Sequence, residues 1–140
     1  MYKKVFLDAN VILDCFDTDR PNHVYSYKTY EYLIMNSQIF TSCDIITTLY
    51  YIGKKVDKQN ILHNIRNINK MLKVIEFSNM EVEETCKLMM DEKRFVDLED
   101  TLQFVMAKKY DCDLIISNDK NFASLEIPVL SSEEFCKLIE

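Results

Sequence analysis

Glycine occurs once in the 140 residues, proline twice and tryptophan not at all. So few turn-forming residues argue against collagen-like, low-complexity and turn-rich all-β chains, and favour helices joined by short connections. No apolar run reaches the roughly 20 residues of a membrane span, and Asp8 and Asp14 interrupt the N-terminal stretch MYKKVFLDANVILDCF, so the cytoplasm is the expected location. The five cysteines (Cys15, Cys43, Cys86, Cys112, Cys136) form no CxxC pair. They read as reduced, buried small hydrophobes rather than as a disulfide framework or a zinc site. Positive charge is also in short supply: 17 Lys and Arg stand against 23 Asp and Glu, a net charge of −6. That excludes a protein held on nucleic acid by bulk attraction, but not a nuclease whose own acids bind metal ions.

What is present is a chain 48% hydrophobic and 29% charged, the balance of one domain spanning 1–140. DTDRPN, from Asp17 to Asn22, is the clearest break. Short apolar runs at Tyr2–Leu7, Gln38–Ser42, Lys73–Phe77, Leu114–Ser117 and Ile127–Leu130 read as strands. Helical spacing marks Val11–Phe16, Val24–Met35, a segment opened by Asp44 as N-cap and ended or loosened by Gly53, and one from about Lys58 through Leu72. It continues over Met80–Met90 and Glu99–Tyr110, and in a closing helix opened by the capping-box pattern Ser131–Glu134. Strands that alternate with helices, and that are apolar throughout, predict an α/β fold with a parallel sheet covered on both faces.

Ligands of such sheets bind beyond the carboxyl ends of the strands, which directs attention to acids there. Asp8 closes the first strand and Asp119 follows the fourth; Asp100 and Asp97 lie at the entrance of one helix. Taken singly, Asp8 fits a loop cap, Asp119 a turn and Asp100 a first-turn acid favoured by the helix dipole. Taken together, they fit a cation site. Unit charges 4 Å apart repel by about 4 kcal/mol at an effective dielectric of 20, and a divalent ion removes that conflict. All-oxygen ligation suits Mg²⁺ or Mn²⁺, and such a cluster hydrolyses phosphodiesters well.

The segments FLDANVILD, TSCDIITTLYYIGKK, DLEDTLQFVMAKKYDCDLIISNDKNF and IPVLSSEEF, in this order, resemble the PIN domain family of ribonucleases, which includes the VapC-type toxins. The resemblance covers nearly the whole chain. It implies a three-layer sandwich with a central parallel sheet of about five strands flanked by helices, and a Mg²⁺- or Mn²⁺-dependent endoribonuclease. It also implies an RNA substrate, an antitoxin protein as partner and a homodimer, for which the aromatic-rich helix Val24–Met35 offers a contact. By position, Asp8, Asp100 and Asp119 match the family acids: Asp8 and Asp100 would hold the metal, and Asp119 would bind it through water or place the attacking water. Asn10 and Ser117 match supporting polar residues, and Asp97 is an extra carboxylate. The family's Glu in the helix after the second strand falls at Thr48, which makes a catalytically weak module binding RNA or protein the alternative. Asp44, one turn earlier, either substitutes or caps, the cap being favoured.

A phosphatase or phosphoacceptor, which shares the first-strand Asp, expects a second acid where this chain has Asn10. Asp14 reads as a solvent-facing helix acid, His23 and His63 as surface residues, and the aromatics as mostly core. Lys54, Lys55, Lys58, Lys93, Arg94 and Lys120 are the candidate RNA contacts, though paired lysines at helix ends ordinarily face solvent.

Overall fold

A computed structural model describes residues 1–140. In chain order the elements are β1 (Lys4–Leu7), α1 (Ala9–Phe16), α2 (His23–Asn36), β2 (Gln38–Ser42), α3 (Ile45–Val56), α4 (Ile61–Met71), β3 (Lys73–Ile75), α5 (Asn79–Asp91), α6 (Leu98–Lys109), β4 (Leu114–Ile116), β5 (Val129–Leu130) and α7 (Ser132–Ile139). The five strands form one parallel sheet in the order β3-β2-β1-β4-β5. No helix is long and apolar enough to cross a membrane.

The two layers on the sheet follow from residue alternation. Val5 and Leu7 of β1, Ile39 of β2, and Leu114 and Ile116 of β4 point into a core shared with α1 to α4 and α7. Phe6, Phe40 and Ile115 point the other way, into a core completed by Phe95 and by Leu102, Phe104, Val105 and Met106 of α6. The chain moves from β1 to β2 to β3, then crosses back to β4 on the far side of β1. Right-handed crossovers in opposite directions place their helices on opposite faces, which accounts for both layers. The reversal also makes the gap between β1 and β4 the topological switch point, where Leu7 pairs with Ile116.

Several sequence expectations are corrected in detail. β3 stops at Ile75, an edge strand bonded only to β2, and β5 keeps only Val129–Leu130. Pro128 has no N–H and offers only its carbonyl, to Ile115 at 3.0 Å, while Glu126 sits at φ 69°, so the expected start of β5 is a turn. α4 begins at Ile61 rather than Lys58, because the Asp57 carboxylate takes the Asn60 backbone N–H at 3.2 Å and its amide at 2.9 Å, closing a turn. Gly53 neither ends nor loosens α3: a Cβ there would collide with Ile61 Cδ1, so the glycine lets α4 approach. Cys43 and Cys86 are exposed, unlike buried Cys112 and Cys136. Tyr25, Tyr27, Tyr50 and Tyr51 are also exposed, since their rings lie on the outer faces of α2 and α3.

Candidate active site

The switch-point crevice is built from the ends of β1 and β4. Asp8 follows β1 directly and caps α1, its Oδ1 accepting the Ala9 N–H at 2.7 Å. Across the gap Ser117 follows β4, donates its hydroxyl to Asp8 Oδ2 at 2.7 Å and accepts the Asp119 N–H at 3.1 Å. One serine thus ties two acids 111 residues apart in sequence to the same rim. Asn10 Oδ1 accepts the Asn118 N–H at 3.2 Å, and Asp119 Oδ1 accepts the Asn121 N–H at 2.9 Å, shaping the loop after β4.

The third acid arrives with α6. Asp97 is the N-cap, its Oδ1 accepting the Asp100 N–H at 2.9 Å, so its carboxylate is committed to fixing the helix entrance. Asp100 projects from the first turn of α6, where the charges of Asp8 and Asp119 act on it. Partial burial, then Asp8, Asp97 and Asp119 as like charges, push the Asp100 pKa up to about 7. Asp8 is only 4% exposed. Burial raises its pKa, with a smaller push from Asp119, while the hydrogen bonds from Ser117 and Ala9, and the neighbouring Gln103 amide, oppose the rise. Glu99 and Asp44 extend the cluster outward: the Glu99 pKa is raised first by burial and then by the charges of Asp44, Asp8 and Asp97.

The sequence-predicted site residues therefore meet, with qualifications. Asp8, Asp100 and Asp119 share one rim and feel one another's charge, yet no three acids close around a common point at coordination distance. Burial first, and then the charges of Asp8, Asp97 and Asp119, instead disfavour the ionised form of Asp100. Thr48 is half-buried on α3. Asp44 does not cap α3: its backbone is already helical and its Oδ1 accepts the Ser42 hydroxyl, and its charge helps raise the Glu99 pKa. None of the protein's ion pairs includes Asp8, Asp44, Asp97, Glu99, Asp100 or Asp119.

Asp14 reverses its expected place. It is 3% exposed, and its carboxylate accepts Arg20 Nε at 2.6 Å, Asn118 Nδ2 at 2.6 Å and Ser26 Oγ at 3.3 Å. Asn118 Oδ1 in turn accepts the Ser132 N–H at 2.9 Å, so this buried network joins α1, α2, α7 and the residue before Asp119. His23 is likewise drawn in, its Nδ1 lying 2.7 Å from the Asp14 carbonyl, whereas His63 is exposed as expected. Of the cations, Lys54 lies over the Tyr50 and Tyr51 rings at 5.5 and 5.0 Å, an outward-facing cationic and aromatic surface.

Glu99 and Gln103 were not among the sequence candidates. Glu99 carried a signal, being an acid beside Asp100. Gln103 carried none, because Thr101 to Ala107 of α6 are all buried and no polar face stands out. It is fully buried, with neither Nε2 nor Oε1 completing a hydrogen bond, although its amide bears on Asp8 strongly enough to lower that pKa. Leaving such a group unpaired costs about 1–3 kcal/mol.

Similarity to known proteins agrees with this construction. Residues 5–128 match the PIN domain model. The chain belongs to the PIN domain family. It is 49% identical over 136 residues to Ribonuclease VapC1 of Aquifex aeolicus (strain VF5), covering 96% of this chain and 94% of that protein. Among solved structures, VapC20 of Mycobacterium tuberculosis, a Sarcin-Ricin loop cleaving toxin, superposes with a TM-score of 0.73 at 11% identity, over 88% of this chain and 98% of that one. A toxin–antitoxin complex from Klebsiella pneumoniae gives 0.70 at 19% identity, over 91% and 97%. These two share the fold.

Proposed function

We propose that this PIN domain protein, acting as one unit over residues 1–140, is a divalent-metal-dependent endoribonuclease and the toxin of a toxin–antitoxin pair. The observation that carries the reading is the concentration of Asp8, Asp100 and Asp119, with Asp44 and Glu99 beside them, at the switch point without one cationic partner. The near-half identity to Ribonuclease VapC1 supports RNA as substrate, and the toxin–antitoxin structural neighbour supports an antitoxin partner.

The donor set fits a hard cation. It offers carboxylate oxygens only, and two of the acids have raised pKa values that an adjacent cation would reverse. Mg²⁺ or Mn²⁺ is the matching choice: Asp8 and Asp100 would hold it, and Asp119 would reach it through water or place the attacking water. When bound, the ion supplies Lewis acidity, lowering the pKa of water and neutralising charge on the phosphodiester. Ser117 and the Ala9 N–H each engage one oxygen of Asp8 and so hold its carboxylate in one orientation. Asn10 positions the loop bearing Asp119 through the Asn118 N–H, and Asp97 orients the turn bearing Asp100. Thr48 brings no charge, and Asp44 with Glu99 supplies carboxylates at that side of the rim instead. Lys120, next to Asp119, and Lys93 with Arg94 are the cations offered to phosphates.

Incubation of the purified protein with total bacterial RNA tests the reading. Cleavage is expected with Mg²⁺ or Mn²⁺, none with EDTA, and none for Asp8→Asn. Equal behaviour of wild type and Asp8→Asn refutes the nuclease and leaves the binding module.

A further inference from the structure

We propose that Gln103 is a positioning residue for the divalent ion of this site: its buried amide, beside the Asp8 carboxylate, steadies that ligand, and its Oε1 accepts from water that the ion carries in. The inference rests on the metal-dependent reading above and adds a residue to it.

A fully buried glutamine in a helix packed between a sheet and α5 is out of place as a packing element, since leucine or methionine would fill the same volume without burying an amide. Gln103 stands three residues after Asp100, so the two lie on neighbouring positions of one α6 face. Asp8 lies beside its amide, while both oxygens of that carboxylate already have one donor each, Ala9 N–H and Ser117 Oγ. The Gln103 donors are therefore a third influence on the same carboxylate, and its carbonyl oxygen is a buried acceptor with no protein donor in reach. Mg²⁺ and Mn²⁺ keep several waters when bound by few carboxylates, and each such water donates hydrogen bonds. Partners that orient a ligating carboxylate or hold such water typically matter about tenfold to hundredfold in metal affinity.

Gln103→Leu and Gln103→Met remove the amide at nearly constant volume. Mn²⁺ binding to the full-length protein is read from the loss of the free Mn²⁺ electron paramagnetic resonance signal, and stability by thermal melting in EDTA. The expected result is a loss of Mn²⁺ affinity of about tenfold or more in both variants, with EDTA melting temperatures at or above wild type. A merely structural glutamine gives the opposite pattern. Affinity within about threefold of wild type, or a loss that accompanies a lower EDTA melting temperature in both variants, overturns the role of Gln103 and leaves the nuclease standing. A folded wild type that binds no Mn²⁺ overturns the metal-dependent reading and this inference with it.

Discussion

Replacing Asp100 by asparagine is expected to stabilise the metal-free protein at pH 7.5 while removing RNA cleavage. The folded-state pKa of Asp100 lies near 7, against 3.8 for an unperturbed carboxyl, because partial burial and the charges of Asp8, Asp97 and Asp119 disfavour ionisation. Between those values the folded chain binds more protons here than the unfolded chain, so stability falls as pH rises through 7 and is highest below about 4. About three pKa units at roughly 1.4 kcal/mol each amount to about 4 kcal/mol for a sheltered group. Asp100 is only half-buried, and water screens its neighbours, which reduces the penalty to about 1–2 kcal/mol. The asparagine amide carries no charge and escapes it. For a chain of this length that corresponds to a melting temperature roughly 3–6 °C above wild type at pH 7.5 in EDTA, shrinking to nothing near pH 4. The difference between the two proteins is the informative quantity, because Asp8 and Glu99, raised by burial, and Glu81 and Glu134, lowered by hydrogen bonds from Ser78 and Ser131, add opposing slopes common to both. Equal melting temperatures at pH 7.5, or an advantage unchanged between pH 4 and 7.5, would show that the acids at the rim do not strain one another.

Two further substitutions probe the frame around the acids. Asp14→Ala strands Arg20 Nε and leaves Asn118 Nδ2 only its bond to Ser26 Oγ, and is expected to cost about 2–4 kcal/mol in urea denaturation and to weaken cleavage, since Asn118 precedes Asp119; a loss under about 0.5 kcal/mol contradicts the buried network. Gly53→Ala sets a Cβ against Ile61 Cδ1, so overpacking of about 1–3 kcal/mol outweighs a helix gain of about 1 kcal/mol; in an Ile61→Val background the same change is expected to stabilise, and identical effects in both backgrounds contradict the close approach of α3 and α4.

How far the sequence carried the reading depended on the distance between cause and partner. Asp8 and Asp119 could be found because each follows an apolar strand, and a parallel sheet brings such strand ends together whatever lies between them; Ser117 was reached only through the family resemblance. The residues that escaped are those whose environment is set by tertiary partners. Asp14 sits on a helix where an acid ordinarily marks the wet face, and only Asn118 and Ser26, arriving from distant parts of the chain, make burial tolerable. Asp44 occupies an N-cap position by pattern, but Ser42 engages its side chain and the helical backbone begins one residue early, so an expected cap becomes a carboxylate whose charge is felt at Glu99. Gln103 is hidden for a different reason: α6 is covered on every side, so periodicity loses its power to separate a packing residue from one aimed at the crevice. A buried polar group without a protein partner is costly enough that its persistence in the middle of such a helix needs a cause, and the carboxylate of Asp8 beside it is the one the fold provides.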